Sequence, residues 1–145
     1  MIFQTFGERL QVRLESGDAV VASLTELLER RGIGFAVLSG LGALRQARIA
    51  YLNVESHEYE AHDYEEQVEL VSLIGNANLR DGRPFLHLHA ALGRRDMSTV
   101  GGHVEELIAN PTVEVWVQPE AGSVRRVFDA SVGMALMDLP ERLGD

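Results

Sequence analysis

Apolar and polar positions alternate along most of the chain. Leu10, Val12 and Leu14 alternate with Gln11, Arg13 and Glu15, the period-two signature of a half-buried strand. Ser16-Gly17-Asp18 breaks that strand and offers Asp18 as a helix N-cap. From Ala19 to Arg31 the period lengthens. Val20, Val21, Leu24, Leu27 and Leu28 share one helical face, Glu26, Glu29, Arg30 and Arg31 take the other, and Gly32 is placed to end the helix. The apolar run Ile33 to Ser39 predicts a buried strand, and Gly40-Leu41-Gly42-Ala43 a tight turn after it. Ala47 to Val54 predicts another strand. Glu58 to Tyr64 alternates weakly under a heavy acidic load and predicts an exposed edge strand. Gln67 to Gly75 alternates again. Asp81-Gly82 predicts a hairpin between Asn76–Leu79 and Phe85–Leu92. Thr112–Val117, Val124–Ala130 and Met134–Leu139 complete the strands, with Pro140 to Asp145 expected to be loose. One helix among many strands joined by short turns predicts an α+β fold: a mainly antiparallel sheet with one principal helix packed on it.

Composition narrows this picture. A chain of 145 residues, 46% hydrophobic, supports a single domain with a real core. No apolar run is long enough to cross a bilayer, and the segment Met1 to Glu8 has no basic start or apolar centre of a signal peptide. The cytoplasm is the expected compartment. With no cysteine there is no disulfide framework and no thiolate metal site. The net charge is −9, from 22 acidic against 13 basic residues, and every basic residue is arginine. Nucleic-acid affinity rests on basic groups neutralising phosphates, so the isolated domain is not expected to bind DNA without sequence preference. Arg30-Arg31, Arg94-Arg95 and Arg125-Arg126 are isolated pairs rather than a basic stripe.

The chemistry concentrates between Pro84 and His103. On a strand, His87 and His89 point to one face with Phe85, while Leu86, Leu88 and Ala90 point to the other. His103 follows on the glycine-rich segment Gly101-Gly102, which is expected to bend it back toward the strand. Three neutral imidazoles form a facial ligand set for zinc or a similar divalent transition ion, with at least one coordination position open to a small molecule or anion. The competing reading is a set of hydrogen-bonded structural histidines. Among the acids near the motif, Glu69, Glu105 and Glu106, Glu69 is the better candidate for a general base beside such a metal. His57 and His62 lie in the acidic stretch Glu55 to Glu66 and read as part of a solvated edge. Gly40, Gly42, Gly75, Gly101 and Gly102 could in principle cradle a phosphate, but the spacing is no nucleotide fingerprint, and turns and bulges are the expected roles. Trp116, with Val113, Val115 and Val117, reads as core or subunit interface.

Three segments in order resemble a known family. They are Gly32-Ile33 with Val37-Leu38-Ser39-Gly40-Leu41-Gly42-Ala43-Leu44, then Glu69-Leu70-Val71-Ser72-Leu73-Ile74-Gly75-Asn76. The third is Asp81-Gly82-Arg83-Pro84-Phe85-Leu86-His87-Leu88-His89 with Gly101-Gly102-His103. Together they resemble the plant and prokaryote conserved (PPC) domain, also called domain of unknown function family 296, over about residues 5 to 137 of one PPC-like domain spanning 1 to 145. The resemblance implies an α+β domain assembled as a homotrimer. In land plants such domains follow AT-hook segments, which enter the minor groove of AT-rich DNA, and the PPC part mediates self-association. No AT-hook occurs in this sequence, so a DNA-binding label would rest on a segment not found here. Some prokaryotic relatives hold a metal at positions that carry over to His87, His89 and His103. The expected function is therefore a trimeric, zinc-binding interaction or regulatory module, with a metal-dependent enzyme acting on a small molecule as the alternative.

Overall fold

The computed structural model describes residues 1–141; of the expected loose tail, residues 142–145 lie outside the described residues. Nine strands and one helix follow in the order β1 (Ile2–Phe6), β2 (Arg9–Glu15), α1 (Val20–Arg31), β3 (Ala36–Asn53), β4 (Glu58–Tyr64), β5 (Val68–Arg80), β6 (Arg83–Gly93), β7 (Thr99–Pro119), β8 (Arg125–Asp129) and β9 (Met134–Asp138). The nine strands join one sheet and pair antiparallel except at the parallel bridge Leu79 to Arg125; a second parallel bridge, Gly34 to Ser123, lies outside the strands. The α+β class read from the alternation is the observed one.

The long strands close on themselves. β3 pairs with both β5 and β7, and β6 pairs with the same two, so β3, β5, β6 and β7 form a closed circuit. β2 extends the sheet from β7 and carries β1 beyond it; β4 hangs on the free side of β3. Inward positions alternate along each strand: Leu10, Val12 and Leu14 of β2, and Val113, Val115 and Val117 of β7, are buried. The helix covers this core with Val20, Leu24, Leu27 and Leu28, the i, i+4, i+7, i+8 stripe that its spacing predicts. Gly32 ends it in the left-handed conformation at φ 62°, where a Cβ would be strained.

Two expectations are corrected here. Asp18 is not the N-cap. The N-cap is the next residue, Ala19, which has no capping side chain, and the Asp18 carboxylate instead accepts from the Glu15 amide at 2.8 Å and pairs with the N-terminal ammonium at 2.7 Å. Gly40 to Ala43 is not a turn but the bulged middle of an 18-residue strand. Gly40 lies so close to β7 that a Cβ would stand 2.6 Å from the Glu114 carbonyl oxygen, so the glycine serves close backbone approach within the sheet. The Asp81-Gly82 hairpin is as expected: both residues take positive φ, 53° and 78°, between Arg80 and Arg83.

Candidate metal centre

The period of two places the first pair of histidines. Leu86, Leu88 and Ala90 of β6 are buried, which turns Phe85, His87 and His89 to the opposite face. The third histidine arrives by pairing rather than by bending. Gly101 and Gly102 are not a hinge but part of β7, and His103 stands directly opposite His89 across the β6–β7 ladder. Glycine is required there for contact. A Cβ on Gly101 would lie 2.8 Å from the Ala90 carbonyl oxygen, and one on Gly102 would lie 2.6 Å from that of Ala50. Gly75 of β5 plays the same part under the other end of the site: a Cβ would collide with the carbonyl oxygen of His87. These glycines let β3, β5, β6 and β7 approach closely enough to bring the imidazoles together.

The three rings form a compact triangle, with centroid separations of 5.3, 5.3 and 5.5 Å. One ring nitrogen from each lies within 4.8 Å of the others. Nδ1 of His103 is buried and has no hydrogen-bond partner among the described residues. Buried ring nitrogens are normally satisfied, so this orphan, beside two further imidazoles, suits a lone pair awaiting an electrophile. The donor set is all nitrogen, the chemistry that zinc and its neighbours favour. The residues therefore fit the group, and His87, His89 and His103 are the ones that would hold it. When bound, such an ion supplies Lewis acidity at an open coordination position.

Burial favours the neutral form of His87 and His103. His87 is pushed down from 6.5 to about 4 by desolvation first, then by the charges of Arg126, His103 and His89. His103 is lowered by burial and by His89, with Glu105 pulling the other way. An unfolded chain protonates His87 near 6.5, whereas the fold resists until about 4, so the unfolded state binds more protons across that window. The metal-free fold is expected to keep the full His87 contribution above pH 6.5 and to lose it progressively as pH falls toward 4. Thermal melts of chelator-treated protein against the His87→Gln variant check this. A stability difference between the two that stays flat from pH 7 to pH 4 would contradict it.

Arg126 of β8 was not singled out as a site residue by sequence, yet it touches the triad. Its Nε donates to Asn78 Oδ1 at 2.9 Å, one terminal nitrogen to the Ala135 carbonyl at 2.8 Å, and the other to His87 Nδ1 at 2.9 Å. Asn78 is almost fully buried and donates in turn to Asn76 Oδ1 at 2.7 Å. A guanidinium has no acceptor, so His87 Nδ1 must accept, and the neutral ring carries its hydrogen on Nε2. Beside the triad opens a cavity of about 680 Å³, whose walls include Leu52, Tyr59, Arg80, Phe85, Arg126 and Leu136. Tyr59 packs on His103 with centroids 4.9 Å apart.

The remaining candidates fall elsewhere. Glu69 pairs with Gly93, four residues beyond His89 on β6, and does not line the cavity. Glu105 is bonded to Arg48 at 2.6 Å, and Glu106 is exposed opposite the same arginine. His57 and His62 are exposed on the β4 hairpin; among the described residues the only cluster able to hold a metal is His87, His89 and His103.

A closed α+β sheet with three histidines on paired strands, at the mouth of a cationic cavity, defines a domain with a candidate metal site. The Plants and Prokaryotes Conserved (PCC) domain model matches residues 1–120, and the chain belongs to that family. A metal-containing protein of Archaeoglobus fulgidus is 35% identical with TM-score 0.87, covering 96% of this chain and 99% of its own. A plant- and prokaryote-conserved (PPC) protein of Pyrococcus horikoshii is 28% identical with TM-score 0.86, covering 97% of each chain. A candidate DNA-binding protein of Bacteroides thetaiotaomicron is 25% identical with TM-score 0.91, covering 94% of this chain and 96% of its own. No curated protein matches this chain. No helix among the described residues is long and apolar enough to cross a membrane.

Proposed function

We propose that this chain is a metal-binding module of its family, holding zinc or another divalent transition ion on His87, His89 and His103, and working as a homotrimer in interaction or regulation. The observation that carries the metal reading is the histidine triangle with its orphaned Nδ1 on His103. The 35% identical relative described as metal-containing supports it. Self-association is supported by the outer face of the sheet. Val37, Leu41, Ile74 and Trp116 are exposed there; Ile74 and Trp116 flank Ser39 on its two sides, and Phe6 packs on Trp116 at 5.9 Å. An apolar patch of this kind favours a partner surface over water. Light scattering at micromolar concentration is expected to give about three times the 16.0 kDa chain mass. A monomer would refute the trimer.

The cavity favours a second reading, a metal-dependent enzyme acting on a small molecule. Tyr59 and Arg126 stand in its walls, while the carboxylate that sequence suggested as base, Glu69, does not. Duplex DNA is not an expected partner of this domain, because a net charge of −9 opposes phosphate binding.

A further inference from the structure

We propose that the cavity beside the triad takes a small organic carboxylate, its charged end held between Arg80 and Arg126 and its apolar body against Phe85, Leu52 and Leu136. The metal reading enters only in that an ion on the triad would add to the attraction; the arginine pair stands without it.

Charge carries the first part of the inference. The chain has an acidic excess, and Arg13, Arg30, Arg48, Arg83 and Arg94 each pair with a carboxylate. Arg80 and Arg126, like Arg9, Arg31, Arg45, Arg95 and Arg125, have no carboxylate partner among the described residues, but of these only Arg80 and Arg126 line the cavity, and no Asp or Glu lines it with them. The two guanidinium carbons lie 5.0 and 5.2 Å from the centre of the same Phe85 ring. Two like charges held on one aromatic ring, without an internal counter-ion, form a site for an anion from solution. Arg126 spends three of its five N–H groups on Asn78, Ala135 and His87, which leaves one on each terminal nitrogen. Arg80 makes no side-chain hydrogen bond among the described residues and is free to close on a second oxygen.

Shape carries the second part. A space of about 680 Å³ is far larger than an inorganic anion fills, and leucine, phenylalanine and methionine side chains make up much of its wall. Such a wall rewards carbon, as ligand sites with a few fixed polar groups generally do. Arg126, Met134, Ala135 and Leu136 all come from β8 and β9, beyond the residues matched by the family model. This hairpin therefore supplies both the anchor and part of the apolar wall.

Calorimetry on the full chain, chelator-treated and zinc-loaded, tests the proposal with sodium hexanoate, sodium acetate and inorganic phosphate as probes. Hexanoate is expected to bind once per chain, at least tenfold more tightly than acetate or phosphate. Arg80→Gln, a change at an exposed side chain away from the triad, is expected to weaken hexanoate at least tenfold while zinc stoichiometry and the circular dichroism spectrum stay unchanged. Hexanoate no tighter than acetate or phosphate, or unaffected by Arg80→Gln, would overturn the inference. The two readings fail separately. A chain that takes zinc but ignores hexanoate removes this one, whereas a chain that refuses zinc but binds hexanoate through Arg80 removes the metal and keeps the carboxylate.

Discussion

Replacing His89 by alanine is expected to abolish stoichiometric zinc binding and leave the fold intact. The His89 ring is exposed and makes no hydrogen bond among the described residues, so its loss opens no cavity in the core and strands no partner. The strand around it is fixed by the opposite face, where Leu88 and Ala90 are buried. Metal binding has no such redundancy. Structural zinc sites release about 10–16 kcal/mol over four ligands, so one imidazole is worth about 3 kcal/mol, or about a hundredfold in affinity. Competition against a chromophoric chelator reads the affinity, and a melt of the metal-free variant reads the fold. Undiminished zinc binding in the folded variant would remove His89 from the site.

The second large effect runs the other way. Arg126→Met is expected to tighten zinc about tenfold or more. A histidine ready for metal usually donates its second nitrogen to an acceptor, which leaves the first lone pair exposed. His87 is held in the reverse state, accepting from Arg126 at 2.9 Å with its hydrogen on Nε2. An ion must therefore break a charge-assisted hydrogen bond worth about 1.5–3 kcal/mol and bear the repulsion of a nearby cation. Methionine keeps an unbranched apolar stem, ends short of the guanidinium and removes both obstacles. The same change leaves Asn78 Oδ1 buried without its donor, at a cost of about 1–3 kcal/mol in the metal-free protein. Tighter zinc with a lower apo melting temperature is the joint signature. Weaker zinc would mean that Arg126 positions His87 for the ion instead of competing with it.

The share of this that sequence could reveal follows the range of each signal. Strand period is local, so the common face of His87 and His89, the apolar stripe of α1, its stop at Gly32 and the Asp81-Gly82 hairpin were all legible. Glycine was ambiguous. Gly40, Gly101 and Gly102 carry the composition of a turn, but their lack of a Cβ is used where one backbone presses on another, which depends on strands distant in sequence. β3 and β7 were therefore read as shorter pieces than the 18 and 21 residues they span. β1 went unread because Ile2, Phe3 and Phe6 do not alternate cleanly with Gln4 and Thr5; in the structure all five residues are exposed. The cavity was the least legible part. Tyr59, Arg80 and Arg126 reach it from β4, β5 and β8, and the Arg125-Arg126 pair offered only a weak hint, because nothing in an alternating strand says which of two arginines faces a histidine 39 positions away.

The most direct measurement is the metal content of protein purified without a histidine tag, beside the His87→Ala/His89→Ala double variant. The account predicts near one zinc, or another divalent transition ion, per chain, and none in the folded variant. Absence of metal from the unaltered chain, even after incubation with zinc, would contradict it and leave three structural histidines.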